Sequence, residues 1–219
     1  MAFIVIVHLS PEHESSMAEL LQTHTALEVM QVHEKVDIKP ECVYVIPPNK
    51  TLVVGDNHLE LEGLHKKDHK PEVIDRFFRS LGKVKAEKSV CIVLSGAGSD
   101  GAVGLKAVKE NGGLVMAQDP SEAGYSGMPN SAIQTGCVDK ILPVGKMAGE
   151  LMAYRKNLGK VRISEDPENL SKDKQEVLSK ILAQVKERKN HDFTHYKRST
   201  VLRRIERRMH VNQTDTLAG

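Results

Sequence analysis

The chain has 219 residues, is 40% hydrophobic and 27% charged, and carries a formal net charge of +2. That composition reads as soluble and globular, and it excludes any whole-molecule electrostatic case for nucleic acid or an anionic membrane. No segment approaches the ~20 apolar residues of a membrane helix, and the N-terminal apolar run lacks the basic flank of a signal peptide. The three cysteines, Cys42, Cys91 and Cys137, are far apart and show no C-x-x-C spacing. A metal or disulfide framework is therefore not expected, and a cytoplasmic location without membrane insertion is.

Residues 2–7 form a continuous apolar run of buried-strand length that ends at His8-Leu9-Ser10-Pro11. The chain enters this strand almost at Met1, with no lead-in, which suggests that something is missing before it. Ser10-Pro11-Glu12 opens a helix in which Met17, Leu20 and Leu21 keep helical spacing. Strands follow at 27–32 and 42–46, the latter stopped by Pro47-Pro48. Residues 51–54 and 58–61 flank Gly55-Asp56-Asn57, a hairpin signature. Val73, Ile74, Phe77, Phe78 and Leu81 share one helical face. Next come a strand at 90–94, a glycine-rich turn, a helix over 102–110, a Gly112-Gly113 stop and a strand at 114–117. A short helix at 129–135, a strand at 138–142 and a helix at 146–156 complete the pattern. Alternation of this kind predicts an α/β fold, a doubly wound and mostly parallel sheet with a β-hairpin insertion.

Composition shifts after Leu158. Residues 159–171 are polar, contain Pro167 and read as a linker. Two amphipathic patterns follow, one on Val177, Leu178, Ile181, Leu182 and Val185, the other on Val201, Leu202, Ile205 and Met209. The expected organisation is a catalytic-type domain at 1–158, the linker, and an α-helical tail at 172–219 that looks like the start of a second domain.

The turn Gly96-Ala97-Gly98-Ser99-Asp100-Gly101 admits three readings. As G-x-G-x-x-G with Asp119 on the next strand it fits a dinucleotide fingerprint, although Asp100 would repel pyrophosphate at a helix N-terminus. As a nucleophile elbow it would make Ser99 the nucleophile, yet no histidine lies between His69 and His191 to serve it. As an acid site it presents Asp100 at a strand end, with the Ala97 and Gly98 amides able to face an oxyanion. The plain alternative is that Asp100 caps the helix that follows. Of the ten histidines, only His8 ends an apolar strand, where a general base belongs; a hydrogen-bonded core histidine is the alternative. His65 and His69 share an i, i+4 spacing, but Pro71 and neighbouring lysines disfavour a metal site there.

The order of these features resembles the catalytic domain of chemotaxis receptor methylesterases, the CheB type. The stretches that carry it are Phe3 to Pro11, Val43 to Pro48, Ile74 to Leu81, Val93 to Gly101, and Gln118-Asp119-Pro120 through Gly127-Met128-Pro129 to Ser131-Ala132. The tail, from Asp192-Phe193 to Met209, is similar to the start of the helical domain of chemotaxis receptor methyltransferases, as in methylesterase–methyltransferase fusions. The resemblance implies a serine hydrolase that removes methyl groups from receptor glutamate esters and deamidates receptor glutamines. It implies His8 and Asp100 as catalytic residues, the Ala97 backbone amide as an oxyanion donor, and Gly98, Met128 and Pro129 near the site. It implies no cofactor; S-adenosylmethionine would bind a methyltransferase domain further downstream.

The family's serine lies in a glycine-rich turn after a strand upstream of the part matching Phe3. The nucleophile is therefore expected to be absent from this chain, together with the first strand of the sheet. The 219 residues alone are expected to be inactive, to show unpaired edges, and to have poor solubility or partner-dependent folding. The basic tail helix, with Arg198, Arg203, Arg204, Arg207 and Arg208, is expected to dock on the helical cytoplasmic bundle of a methyl-accepting receptor, or else to be a solvated face. A receiver domain or histidine kinase of the same pathway is a further expected partner; nucleic acid is not, because stacking aromatics are missing. The alternatives to an esterase are a non-catalytic receptor-docking remnant and a nucleotide-binding oxidoreductase.

Overall fold

Every apolar run read as a strand becomes one in the computed structural model, which describes residues 1–8, 15–63, 72–158, 171–189, 192–193, 196–212, 214 and 217. In chain order these are β1 (Phe3–Val5), α1 (Met17–Gln22), β2 (Glu28–Gln31), β3 (Val36–Asp37), β4 (Cys42–Val45), β5 (Lys50–Val54) and β6 (His58–Gly63). Then follow α2 (Val73–Lys85), β7 (Val90–Val93), α3 (Leu105–Glu110), β8 (Leu114–Gln118), α4 (Gly127–Gln134) and β9 (Lys140–Leu142). Three helices end the chain: α5 (Val144–Asn157), α6 (Lys172–Lys189) and α7 (Arg198–Asn212). The helix start expected at Ser10-Pro11 and the pair His65 and His69 lie outside the described residues, as do residues 159–170 of the expected linker. The chain divides into two compact units, Met1–Pro143 and Val144–Gly219.

In the first unit the parallel strands form two three-stranded sheets, ordered β1-β4-β2 and β7-β8-β9. Phe3 and Val29 both pair with Val43, and Val90 pairs with Leu114. A third sheet, β3-β6-β5, is antiparallel; it contains the expected hairpin. Its short strand β3 has too few residues for any periodic signal in the sequence. The α/β class with parallel sheets and a helical tail is as expected, but the strands do not make one continuous sheet. Among the described residues β1 and β2 pair only with β4, and β7 and β9 only with β8, so each parallel sheet has two open edges.

The core is built where the apolar stripe of α2 meets α3 and the sheets. Ile74, Phe77, Phe78 and Leu81 are buried, and they cluster with Tyr44, Ile46, Leu52, Leu59, Leu105 and Val108. The stripe recurs every three to four residues, so one face of α2 is apolar throughout. Tyr44 is fully buried, and its hydroxyl is satisfied: it donates to the Asp37 carbonyl at 2.9 Å and accepts from the Lys39 amide at 2.8 Å. Gly82 lets α2 approach α3 at backbone distance; a Cβ there would lie 2.8 Å from the Ala107 carbonyl group.

In the second unit the two amphipathic stripes meet as read. Leu178 packs with Val201, Leu202 and Met209, and Leu182, Phe193, Ile205 and Leu217 close the cluster. Helix α5 also packs against α7. The reading of Arg207 as a receptor-docking residue is corrected here: it is buried, with His210 and Val211, while Arg198, Arg203, Arg204 and Arg208 are exposed. A helix covered on two sides withdraws charged positions that a one-face pattern leaves in solvent.

Candidate active site

His8 and Asp100 come from opposite sheets. His8 lies just beyond the C-terminal end of β1, and Asp100 lies in the turn that leaves β7. Their side chains meet with His8 Nε2 2.9 Å from Asp100 Oδ2. The histidine is 45% exposed and the aspartate 14%. His8 is thus not the partly buried residue its apolar strand suggests; it lies beyond the last residue of β1, Val5, and is exposed.

The Asp100 carboxylate does not cap the helix that follows it. It caps α2, from 25 residues away in sequence: the Ile74 amide donates to Oδ2 at 2.9 Å and the Asp75 amide to Oδ1 at 3.0 Å. The Gly101 amide adds a bond to Oδ1 at 2.8 Å. Each oxygen therefore has two partners, His8 included. The positive end of α2 favours negative charge at this point.

Asp75 returns the contact. Its Oδ1 accepts the Gly104 amide at 2.5 Å, at the entry to α3. Burial pushes the Asp75 carboxyl above the usual carboxylate range and the charge of Asp100 adds to this, with the Gly104 hydrogen bond opposing. The residue is only 4% exposed.

The glycine turn is clamped from one side. The Gly96 amide donates to the Tyr125 carbonyl at 2.9 Å, and the Met128 amide donates to the Gly96 carbonyl at 2.8 Å. The Ser131 hydroxyl donates to the Gly98 carbonyl at 3.3 Å. Gly98 has φ +90°, a backbone that favours glycine, and a Cβ on Gly96 would lie 2.6 Å from Met128 Sδ, so that side chain would have to shift. Met128 thus sits against the turn, and the buried Pro129 follows it in the first turn of α4. Gln118, at the end of β8, accepts the Ser95 amide at 2.7 Å, and the Ser95 hydroxyl accepts the Tyr125 amide at 3.0 Å. Ala97, Gly98 and Ser99 form the exposed crest. The Ala97 and Gly98 amides donate no hydrogen bond among the described residues.

Two alternative readings lose their footing. α3 starts only at Leu105, so the glycine turn does not feed directly into a helix N-terminus where pyrophosphate would sit. Asp119 is occupied locally: hydrogen bonds from the Ser121 hydroxyl and amide hold its carboxyl below the ordinary value. Ser99 makes no hydrogen bond to His8, and no hydroxyl or thiol among the described residues does.

Asp75, Gln118 and Tyr125 escaped the sequence reading as site residues. Asp75 offered one signal, an acidic residue in the first turn of a helix. Gln118 and Tyr125 offered none beyond their place in the resembling stretches.

A histidine held by an aspartate across the C-terminal ends of parallel strands, beside a turn with open amides, is the arrangement of hydrolases that use a histidine base. Residues 1–151 match the sequence profile described as CheB methylesterase, and residues 176–219 match the all-alpha domain of CheR methyltransferase. The chain belongs to the CheB methylesterase family, joined to a CheR-type helical segment as in a fusion. It is 34% identical to an uncharacterized 104.1 kDa protein of Rhodobacter capsulatus, over 93% of this chain and 23% of that one. It is 34% identical to a putative protein-glutamate methylesterase/protein-glutamine glutaminase of Leptospira interrogans, over 66% of this chain and 76% of that one. The protein-glutamate methylesterase FrzG of Myxococcus xanthus is 32% identical, over 67% of this chain and 44% of its own length. The chain thus spans under half of that relative and under a quarter of the Rhodobacter protein. In three dimensions it is similar to the Thermotoga maritima CheB methylesterase catalytic domain, with a TM-score of 0.61, 28% identity, and coverage of 68% of this chain and 81% of that one.

Proposed function

We propose that residues 1–158 supply the base and the orienting acid of a protein-glutamate methylesterase and glutamine deamidase acting on chemotaxis receptors in the cytoplasm. Residues 172–219 are the receptor-docking start of a methyltransferase-like domain. The observation that carries the catalytic reading is the contact between His8 Nε2 and Asp100 Oδ2 at 2.9 Å. An aspartate on Nε2 fixes the proton there and leaves Nδ1 as the base. A seryl hydroxyl presented to Nδ1 loses its proton as its oxygen attacks the ester carbonyl. The negative charge that develops on the carbonyl oxygen faces the Ala97 amide. The imidazolium, stabilised by Asp100, returns the proton to the departing methoxide, and methanol leaves. Water repeats the sequence on the acyl-serine and releases glutamate; for a glutamine substrate the first leaving group is ammonia.

The test is methanol release from a methylated receptor. Purified 1–219 is expected at background, because loss of a triad nucleophile removes roughly 10⁶ in rate. A chain extended at its N-terminus with a family-type strand and serine turn is expected to be active. In that chain Asp100→Asn should lower kcat by roughly 10⁴, through the wrong tautomer. Turnover by 1–219, or an extended chain indifferent to His8→Ala, would sink the reading.

One observation favours the receptor-docking reading beside the catalytic one. An apolar groove of about 330 Å³ runs along α6 and α7, lined by Ile181, Val185, Ile205 and Met209, with Arg204 and Arg208 at its margin. Those arginines suit an acidic helical surface. Arg207 is removed from the docking set because it is buried.

A further inference from the structure

Asp75 and Asp100 exchange caps. Asp100, in the turn before α3, accepts the Ile74 and Asp75 amides of the first turn of α2. Asp75, in that first turn, accepts the Gly104 amide at the entry to α3. Two chain segments thus bind each other's backbone through one carboxylate apiece. The approach is tight on both sides. A Cβ on Gly101 would lie 2.6 Å from Ile74 Cγ2, and one on Gly104 would lie 2.7 Å from the Asp75 carbonyl oxygen.

We propose that Asp75 is a positioning residue for the His8–Asp100 pair. The inference rests on the catalytic reading of that pair. The turn that carries Asp100 is clamped at Gly96 and Gly98, on the side away from α2, so the placement of the carboxylate against α2 depends on the bonds from Ile74 and Asp75. The bonds from Ile74 and Asp75 fix it only while α2 and the α3 entry keep their spacing. The Asp75–Gly104 bond holds that spacing from a buried site, where an unpaired amide would be costly. Asp75 therefore acts through Asp100, without touching His8 or the reacting atoms.

The full 219-residue chain allows a direct test by carbon relaxation of the His8 ring, which reports the order of that side chain on the ps–ns scale. Asp100→Ala is expected to loosen the ring from the rigid range to that of a free surface side chain. Asp75→Ala is expected to loosen it to a similar degree, and Asp75→Asn, which keeps an acceptor for Gly104, to leave it ordered. Leu59→Ala supplies the control, since it weakens the core elsewhere and should not move the ring. If Asp75→Ala does not fold, Asp75→Ser, too short to reach Gly104 in the same way, takes its place with the same expected loss. An ordered ring in Asp75→Ala or Asp75→Ser, with a loosened one in Asp100→Ala, overturns the role of Asp75 alone. A ring unchanged by Asp100→Ala overturns the pair itself. Loosening in Leu59→Ala equal to that in Asp75→Ala reduces Asp75 to general stability and also overturns the proposal.

Discussion

At the scale of residues, the site turns on how two carboxylates are housed. Asp100 has two donors on each oxygen, whereas Asp75 is buried with a backbone amide and faces like charge from Asp100 and Glu72, with Arg79 opposing. A carboxyl raised in the folded state holds its proton better there than in the unfolded chain. Stability should therefore fall as pH rises from the ordinary value of 3.8 through the raised one. Asp75→Asn is expected to flatten that part of the profile and to stabilise the chain at neutral pH, as read by urea unfolding across a pH series. An identical slope in the variant would assign the pH dependence to other groups. Position made His8 and Asp100 candidates, since each follows an apolar strand where parallel sheets put polar function, and the family resemblance singled them out. Asp75 was not, because its partner lies 29 residues further along the chain. The pattern of one helix cannot announce a bond to another.

Elements were legible wherever one face alone is buried. The stripe of α2 named its core residues in advance, since a single apolar face maps directly onto spacing. α7 was legible on the face that meets α6 and misleading on the side that buries Arg207. The sharpest element-level test is Gly82. An alanine inside a helix normally gains about 1 kcal/mol over glycine. Here its Cβ would lie 2.8 Å from the backbone of Ala107 and Val108, so α2 and α3 must separate. Gly82→Ala is expected to destabilise by about 1–3 kcal/mol in denaturant unfolding. A stabilised variant would show that the two helices are not held at backbone distance.

For the whole molecule, alternating strands and helices were enough to name the class, and not enough to name the sheets. Alternation says that strands run parallel; it does not say which strands are neighbours. β1 and β7 each present an unpaired edge among the described residues, with Phe3 37% and Leu94 47% exposed beside them. Open edges are templates for pairing between chains. The 219-residue chain is accordingly expected to self-associate as concentration rises. Phe3→Lys combined with Leu94→Lys should reduce that association in sedimentation velocity runs, and equal association in the variant would rule out the edges as its cause.

The pairing of His8 with Asp100 across two sheets bears on how the chain reaches its native state. Neither sheet can make this contact by itself, and the two residues are far apart in sequence. Long-range contacts of this kind complete late, after the local pairings around them. In a refolding experiment, ordering of the His8 ring would be a clock for docking of the two sheets, and would lag behind signals from either sheet alone. The contact would then be completed by the last tertiary event of folding, so that a half-assembled chain carries a well-formed turn and no His8–Asp100 pair.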